Sequence, residues 1–521
     1  MALALAACAE EKPLEGMEGF VLGFAGGVAA EEPRAALVGR QVLTSGGSAA
    51  DAATAMYFTL SVTYPSAASL GGGGVCLVYD VEGKKIETLR FLPGQPANPA
   101  PPGTVRTAVP GNPAGFFALH ARFGNLPWAT HVSRAEQLAR FGTRASRALA
   151  WDIAWARDWL QPHQRSWNIL APGGEPLKEG QFLRQIDLAG ILSSLRARGP
   201  GEFYRGRLSG EFAHAVRLAG GSMTLEDLRA YKPSWGTTIE VESGNHSAHF
   251  ADAPSAGRAA AVLYALLAAD DAFEDLGGAA RLHLVAEASS SAAGELLADP
   301  QAPPTAGTKK RPRLISESYV NRLAGNLASG RHRPASIGIG QALDGIGASS
   351  TTGFVAADRM GSAVACSLTM NAPFGSGRLA PGTGVFMAAA PARPAPLSPV
   401  IVLNPNTNQV HFAAAGGGTP ATPEAVPAVA AATMLAEIPL KEALALRRVS
   451  RPGNGDTTYF EAGMDGRSLQ FLRSRGHRLR EAAVLGRVSA LHCPAGLERA
   501  PEQCRFAVDT RSHGLAAAAE Q

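Results

Sequence analysis

The sequence predicts an α+β chain, and three observations carry that expectation. Phe354 to Ala357 and Ala363 to Leu368 are short apolar runs that flank the turn residues Asp358-Arg359-Met360-Gly361, the pattern of an antiparallel hairpin. Val400-Ile401-Val402 and Val410-His411-Phe412 repeat that pattern around Asn404-Pro405-Asn406. Helical signals stand elsewhere. Ser316 to Ala328 carries apolar residues at helical spacing, including Leu323 and Leu327. Thr224 with Asp227 three positions later reads as a capping box opening another helix.

The first hairpin sets the chemistry. With its turn centred near residue 360, antiparallel pairing places Thr369 opposite Thr351, so two hydroxyls share one strand end. A threonine hydroxyl is a weak nucleophile without an adjacent base. Cleavage just before Thr351 would supply one, because an α-amine of pKa about 7.7–8.0 is partly unprotonated near neutrality. Downstream, Asn371 offers an amide that both donates and accepts, and Phe374-Gly375-Ser376-Gly377 forms a flexible turn near the same end. Taken alone, a Thr-Thr pair also suits a strand that needs β-branched filling. The second hairpin runs into Gly416-Gly417-Gly418-Thr419-Pro420, where successive glycines let backbone N–H groups point into one concavity or act as a hinge.

In these residues the chain resembles the γ-glutamyltransferase family of N-terminal-nucleophile hydrolases, and the likeness extends over nearly its whole length. Gly46-Gly47-Ser48-Ala49-Ala50-Asp51-Ala52-Ala53 resembles that family's helix entry. Gly71 to Gly74 resembles its glycine cluster, and Val109-Pro110-Gly111 resembles its Val-Pro-Gly segment. Gly201 to Gly206, Gly220-Gly221 and Thr224 to Leu228 follow in order, and the stretch from Thr351 through Asn371 to Gly384 is the most specific. The resemblance implies a four-layer αββα sandwich. It also implies a precursor cut at the Ser350–Thr351 bond into parts 21–350 and 351–521, which remain one interwoven unit. Thr351 would attack a γ-glutamyl amide such as glutathione, and water or an amine acceptor would resolve the acyl-enzyme. Carried over by position, Thr369 supports the nucleophile, Gly417 and Gly418 form the oxyanion pair, and Asn371 and Arg90 bind substrate. Arg90 would hold the α-carboxylate, a task that suits a planar guanidinium fork.

Departures from the family pattern lie on the substrate side. Where the family carries an acid for the substrate α-ammonium, this chain reads Ala388-Ala389-Ala390-Pro391-Ala392-Arg393-Pro394. Ala395-Pro396 replaces a serine pair, and Gly353 stands where the family has a histidine. Losing a charge-assisted contact costs about 1.5–3 kcal/mol, so a donor with a carboxylate and no neighbouring ammonium becomes a rival to the γ-glutamyl group.

Composition bounds the rest. With 521 residues and 46% hydrophobic content the chain can bury a large core, and its net charge of +4 marks neither a nucleic-acid nor a membrane-surface binder. No stretch approaches the roughly 20 apolar residues that cross a bilayer. Lys309-Lys310-Arg311-Pro312-Arg313, after a Pro-rich stretch, reads as a solvated linker. Within residues 1–20, Leu5-Ala6-Ala7-Cys8 resembles a lipoprotein cleavage site with Cys8 as lipid acceptor. No basic residue precedes it, which leaves a downstream start or an incidental cysteine. The family's habit of export makes a periplasmic or envelope location the expectation. Cys493 and Cys504 are close enough in sequence to pair in an oxidising compartment, whereas Cys76 and Cys366 read as buried thiols. The twelve histidines lack the short spacing of zinc ligands, and Gly71 to Gly74 lacks the Lys-Ser/Thr of a phosphate loop. Neither metal nor cofactor is expected.

Three functions follow from this reading. The first is a self-processing threonine amidohydrolase or acyltransferase acting on γ-glutamyl amides. The second is an acylase for glutaryl-like or other amides, and the third is an unprocessed, non-catalytic homologue.

Overall fold

The computed structural model describes residues 23–98, 102–252, 254–269, 272–297, 315–325, 327, 330–334, 350–391, 395–452 and 456–520. The segments around Cys8, Lys309 to Arg313 and Arg393 lie outside them.

Two antiparallel sheets face each other. Thirteen strands build them: β1 (Gly26–Ala30), β2 (Gly73–Asp80), β3 (Lys85–Phe91), β4 (Ser234–Gly236), β5 (Thr238–Ser243), β6 (His246–Ala251), β7 (Thr351–Asp358), β8 (Ala363–Thr369), β9 (Val400–Asn404), β10 (Gln409–Gly417), β11 (Arg487–His492), β12 (Arg505–Val508) and β13 (Leu515–Ala519). The first sheet runs β13-β1-β7-β8-β2-β3-β4 and the second β12-β11-β10-β9-β6-β5. Each sheet contains strands from both sides of residue 350.

Period-two alternation explains the layering. Along β7, Phe354 and Ala356 join the core beneath the helices, while Val355 and Ala357 join the core between the sheets. Helices α1 (Pro33–Thr44) and α2 (Ala49–Thr63) cover the first sheet, and α3 (Gly257–Ala268), α4 (Gly278–Leu297) and α5 (Thr422–Met434) cover the second. The result is four layers, αββα. Helix α2 is buried over its entire length, which its small side chains permit, and a Ser48–Asp51 capping box opens it.

The hairpin registers agree with the sequence. Thr351 pairs with Thr369 in β7–β8. In the second hairpin Val402 pairs with Phe412, and an irregularity follows before Leu403 meets Val410. Thr224 and Asp227 form the expected capping box. The helix near residue 316 is shorter than expected: Ser316 caps Glu317–Ala324, and Gly325 ends it.

Cysteine pairing requires one correction. Cys493 bonds to Cys504, and Cys76 and Cys366 are bonded to each other instead of standing as free thiols. They are register partners on β2 and β8. A strand-by-strand reading misses this, because each cysteine looks like apolar filling until the sheet order is known. Among the described residues no helix is long and apolar enough to cross a membrane.

Candidate active site

The sheets approach each other closely at the head of β7, and glycine is the reason. A Cβ on Gly353 would lie 2.4 Å from the Gly416 nitrogen, and one on Gly417 would lie 2.4 Å from the Thr352 α-carbon. Backbone therefore packs on backbone. The same contact accounts for Gly353 in place of a histidine: no side chain fits there unless the sheets separate.

Because the sheets touch, β10 delivers its end to Thr351. The Gly418 N–H donates to Thr351 Oγ1 at 2.8 Å and to the Thr351 carbonyl at 3.1 Å. Gly416 and Gly417 are still strand; only Gly418 of the three adopts a left-handed backbone, with φ of 99°. Thr351 and Thr369 are both buried. Thr369 Oγ1 accepts the Asn371 N–H at 2.8 Å, which leaves its own proton free to face Thr351. Asn371 itself has φ of 62°, and its side-chain amide donates to the Ala389 carbonyl at 2.8 Å. The Met370 N–H donates to the Ser350 carbonyl at 2.8 Å, which polarises the carbonyl of the Ser350–Thr351 bond.

Glycines also line the neighbouring strand. Cβ atoms on Gly72 and Gly74 would meet the Thr369 and Ser367 carbonyls at 2.7 and 2.5 Å, so Gly71 to Gly74 serves close backbone approach.

Arg90 is not gathered with these groups. It pairs with Val75 on one side and Ser234 on the other, and its Nε reaches Ser234 Oγ at 3.4 Å, away from β7. The strand row that contains Thr351, Thr369 and Gly73 continues to the neighbourhood of Leu92, two residues beyond Arg90. Leu92 is an apolar group. Ala388 to Ala390 run beside Asn371 and Arg106, tied by backbone hydrogen bonds, and present only methyl groups.

Two charged residues enter the site that sequence reasoning missed. Glu31, just past β1, accepts the Gly353 N–H through Oε1 at 3.3 Å, and Arg487 Nη1 lies 4.0 Å from its Oε2. Burial pushes the Glu31 carboxyl up to about 7, against the pull of Arg487 and the Gly353 N–H. Arg487 stays charged although burial opposes it, because Tyr64, Glu31 and Asp152 favour the cation. No local motif marks either residue.

Two histidine–acid clusters also assemble from residues far apart in sequence: Asp51 with His120 and His131, and His283 with Glu287 and His477. Hydrogen bonds engage most ligand atoms of the second cluster, whereas in the first Asp51 Oδ1, His120 Nδ1 and both His131 ring nitrogens have no hydrogen-bond partner among the described residues, with His131 Nε2 2.9 Å from Asp51 Oδ1. Asp51 Oδ2 accepts three backbone N–H groups, His283 Nδ1 and His477 Nε2 are 2.7 Å apart, and His332 bridges Glu287 and Asp456.

An αββα sandwich with a threonine heading a central strand, and backbone N–H groups delivered to it from the facing sheet, defines the N-terminal-nucleophile hydrolase fold. Consistent with that class, the structure superposes on the cephalosporin acylase from Bacillus halodurans with a TM-score of 0.79 at 21% identity, covering 100% of both chains. The Helicobacter pylori γ-glutamyltranspeptidase matches 62% of this chain and 96% of its own, with a TM-score of 0.54 and 24% identity. The family model for gamma-glutamyltranspeptidase matches residues 35–393. The chain belongs to the γ-glutamyltranspeptidase family. The glutathione hydrolase proenzyme of Escherichia coli K12 is 31% identical over 386 residues, which are 70% of this chain and 65% of that protein. The Aspergillus flavus glutathione hydrolase is 26% identical over 496 residues, 87% of this chain and 83% of that one. The matched region spans 65% of the length of the Escherichia coli relative.

Proposed function

We propose that this protein is a self-processing threonine amidohydrolase or acyltransferase of the γ-glutamyltransferase type. One observation carries the reading: the Gly418 N–H sits on Thr351 Oγ1, with the Thr369 hydroxyl across the same ladder rung. In the precursor, Thr351 Oγ attacks the Ser350 carbonyl carbon. The C–N bond breaks as the Oγ proton passes to the departing nitrogen, which leaves a free Thr351 α-amine and an ester between Ser350 and Thr351 Oγ; water then hydrolyses that ester to release the Thr351 hydroxyl and the Ser350 carboxylate. Residues 1–350 then form the large part and 351–521 the small part.

In the mature enzyme that amine takes the Thr351 hydroxyl proton as Oγ attacks a donor amide. Gly417 and Gly418 N–H groups stabilise the oxyanion, Thr369 orients the nucleophile, and the proton passes to the leaving amine. Water or an acceptor amine then attacks the acyl-enzyme. No cofactor is required by this sequence of steps. Asn371 and Arg90 are the proposed donor contacts; Arg90 serves only if its side chain leaves Ser234.

A second reading, an acylase for a glutaryl-like donor, is favoured by one feature. Ala388 to Ala390 and Leu92 offer no charge for an α-ammonium or α-carboxylate. The structural likeness to a cephalosporin acylase fits this alternative at the level of fold. Two disulfides support a location in an oxidising compartment, periplasmic or envelope-associated.

Thr351→Ala tests the nucleophile. The variant should remain one uncut chain and release no anilide from either γ-glutamyl or glutaryl substrates, a loss of at least about 10³-fold. Wild-type turnover retained in the alanine variant removes Thr351 from the mechanism. An uncut and inactive wild type would favour the non-catalytic reading.

A further inference from the structure

Behind Thr351 lies a buried ion pair that the nucleophile, its base and the oxyanion donors do not account for. Glu31 and Arg487 come from different sheets and are 1% and 7% exposed. Such burial is costly unless the charges are paired and hydrogen-bonded, and here the pairing is incomplete. Glu31 Oε2 and Arg487 Nε have no hydrogen-bond partner among the described residues, and the closest approach of the two side chains is 4.0 Å. Replacing the pair with apolar residues of equal volume would serve packing as well or better. A structural role therefore explains it poorly.

Its position suggests another role. A Cβ on Gly418 would lie 2.8 Å from Arg487 Nε, so the guanidinium rests against the α-carbon of the residue whose N–H holds Thr351 Oγ1. Arg487 also heads β11 and pairs with Gly417 across the ladder, which brings it to both proposed oxyanion residues. Glu31 holds the Gly353 N–H, two residues from the nucleophile on the opposite sheet. The pair thus spans the gap between the strand that carries the hydroxyl and the strand that carries the oxyanion donors.

We propose that Arg487 and Glu31 are positioning residues for the Thr351 site: Arg487 fixes the Gly417–Gly418 backbone and lends its charge to the oxyanion formed there, while Glu31 fixes the Thr351–Gly353 strand and offsets that charge when ionised. This inference rests on the proposed threonine chemistry. The physical basis is the low dielectric of a buried site, where a fixed cation near a developing negative charge counts for far more than in water. The other ionisable groups facing the pair are Tyr64, Asp152 and His513 toward Arg487, and Asp152 and Asp509 toward Glu31. Asp152 is itself held by Ser66 Oγ at 2.7 Å. Burial that keeps the Glu31 carboxyl near neutrality makes the offset titrate within a working pH range.

The test uses the full chain and four proteins: wild type, Arg487→Met, Arg487→Lys and Glu31→Gln. Each is scored for the fragment beginning at Thr351 on reducing gels, and then for kcat and KM on an anilide donor from pH 6 to 9. Arg487→Met should lower kcat about 10- to 100-fold, the size of one charge-assisted contact, with KM within about twofold. Arg487→Lys should recover part of that loss. Glu31→Gln retains the contact with Gly353 and removes the charge, so its kcat relative to wild type should rise as pH increases. Wild-type kcat in Arg487→Met, or a Glu31→Gln to wild-type ratio that does not change with pH, overturns the proposal. So does loss in Arg487→Met that lysine does not recover while the fragment pattern and melting temperature stay normal. If wild type neither yields a Thr351 terminus nor turns over any donor, the threonine reading itself fails and takes this inference with it.

Discussion

The two sides of the candidate site are built differently. At the head of β7 the backbone does the work: Gly353, Gly416, Gly417 and Gly418 let two sheets touch, and the hydroxyls of Thr351 and Thr369 meet N–H groups at 2.8 Å. On the side where a donor's tail would be read, the chain offers Leu92, Ala388, Ala389 and Ala390, and Arg90 leans on Ser234. The two sides therefore differ in kind. One is set by main-chain geometry that a glycine pattern can encode, the other by a few side chains that are free to change.

That contrast can be broken most sharply at Gly417. Gly417→Ala would drive a methyl group into the Thr352 α-carbon and the Thr351 carbonyl, both within 2.5 Å, and displace the proposed oxyanion donors. Processing and turnover should both fall by about 10²–10³-fold, as for loss of an oxyanion contact. Reducing gels and a donor assay on the same preparation measure both. Near-normal rates would mean that the close approach of the sheets is not needed for chemistry.

A smaller effect is expected on the donor side. If the alanine run has lost the ammonium contact, glutaryl anilide should equal or exceed γ-glutamyl anilide in kcat/KM, whereas an intact contact would favour the γ-glutamyl donor by about 10- to 100-fold. A strong γ-glutamyl preference would show that another group replaces the missing acid.

The smallest effect concerns stability. Glu31 has a folded-state pKa raised from 4.5 to about 7, so the unfolded chain loses its proton first as pH rises. Stability from this group is greatest below about pH 4.5 and declines toward pH 7. Glu31→Gln should flatten that decline by an amount on the order of 1–3 kcal/mol, read from denaturant midpoints at several pH values. Glu424 and Asp358, raised to about 7 and about 6, contribute slopes in the same direction that the variant leaves in place. An unchanged slope would place the Glu31 proton elsewhere.

What could be read from the sequence follows the same division. The Thr351–Thr369 register was legible because one turn and a period of two determine it, and the Thr224–Asp227 cap because it is local. Leu327 suits a helical stripe, yet Gly325 ends that helix early. The Cys76–Cys366 bond, the Glu31–Arg487 pair and the histidine clusters were not legible. Each includes partners that only the tertiary fold brings together. Arg90 was assigned by position alone, and its side chain rests on Ser234, so its proposed contact with a donor stands on that transfer.

The disulfide affects how the central claim must be measured. Cys76 and Cys366 fall on either side of the Ser350–Thr351 bond, so a processed molecule would still run as one species without reductant. Intact mass and N-terminal sequencing of the full chain, before and after reduction, are decisive. The account predicts a new terminus at Thr351 in both samples and separation into 1–350 and 351–521 parts only after reduction. A reduced sample that remains a single uncut chain while hydrolysing its donor would contradict it.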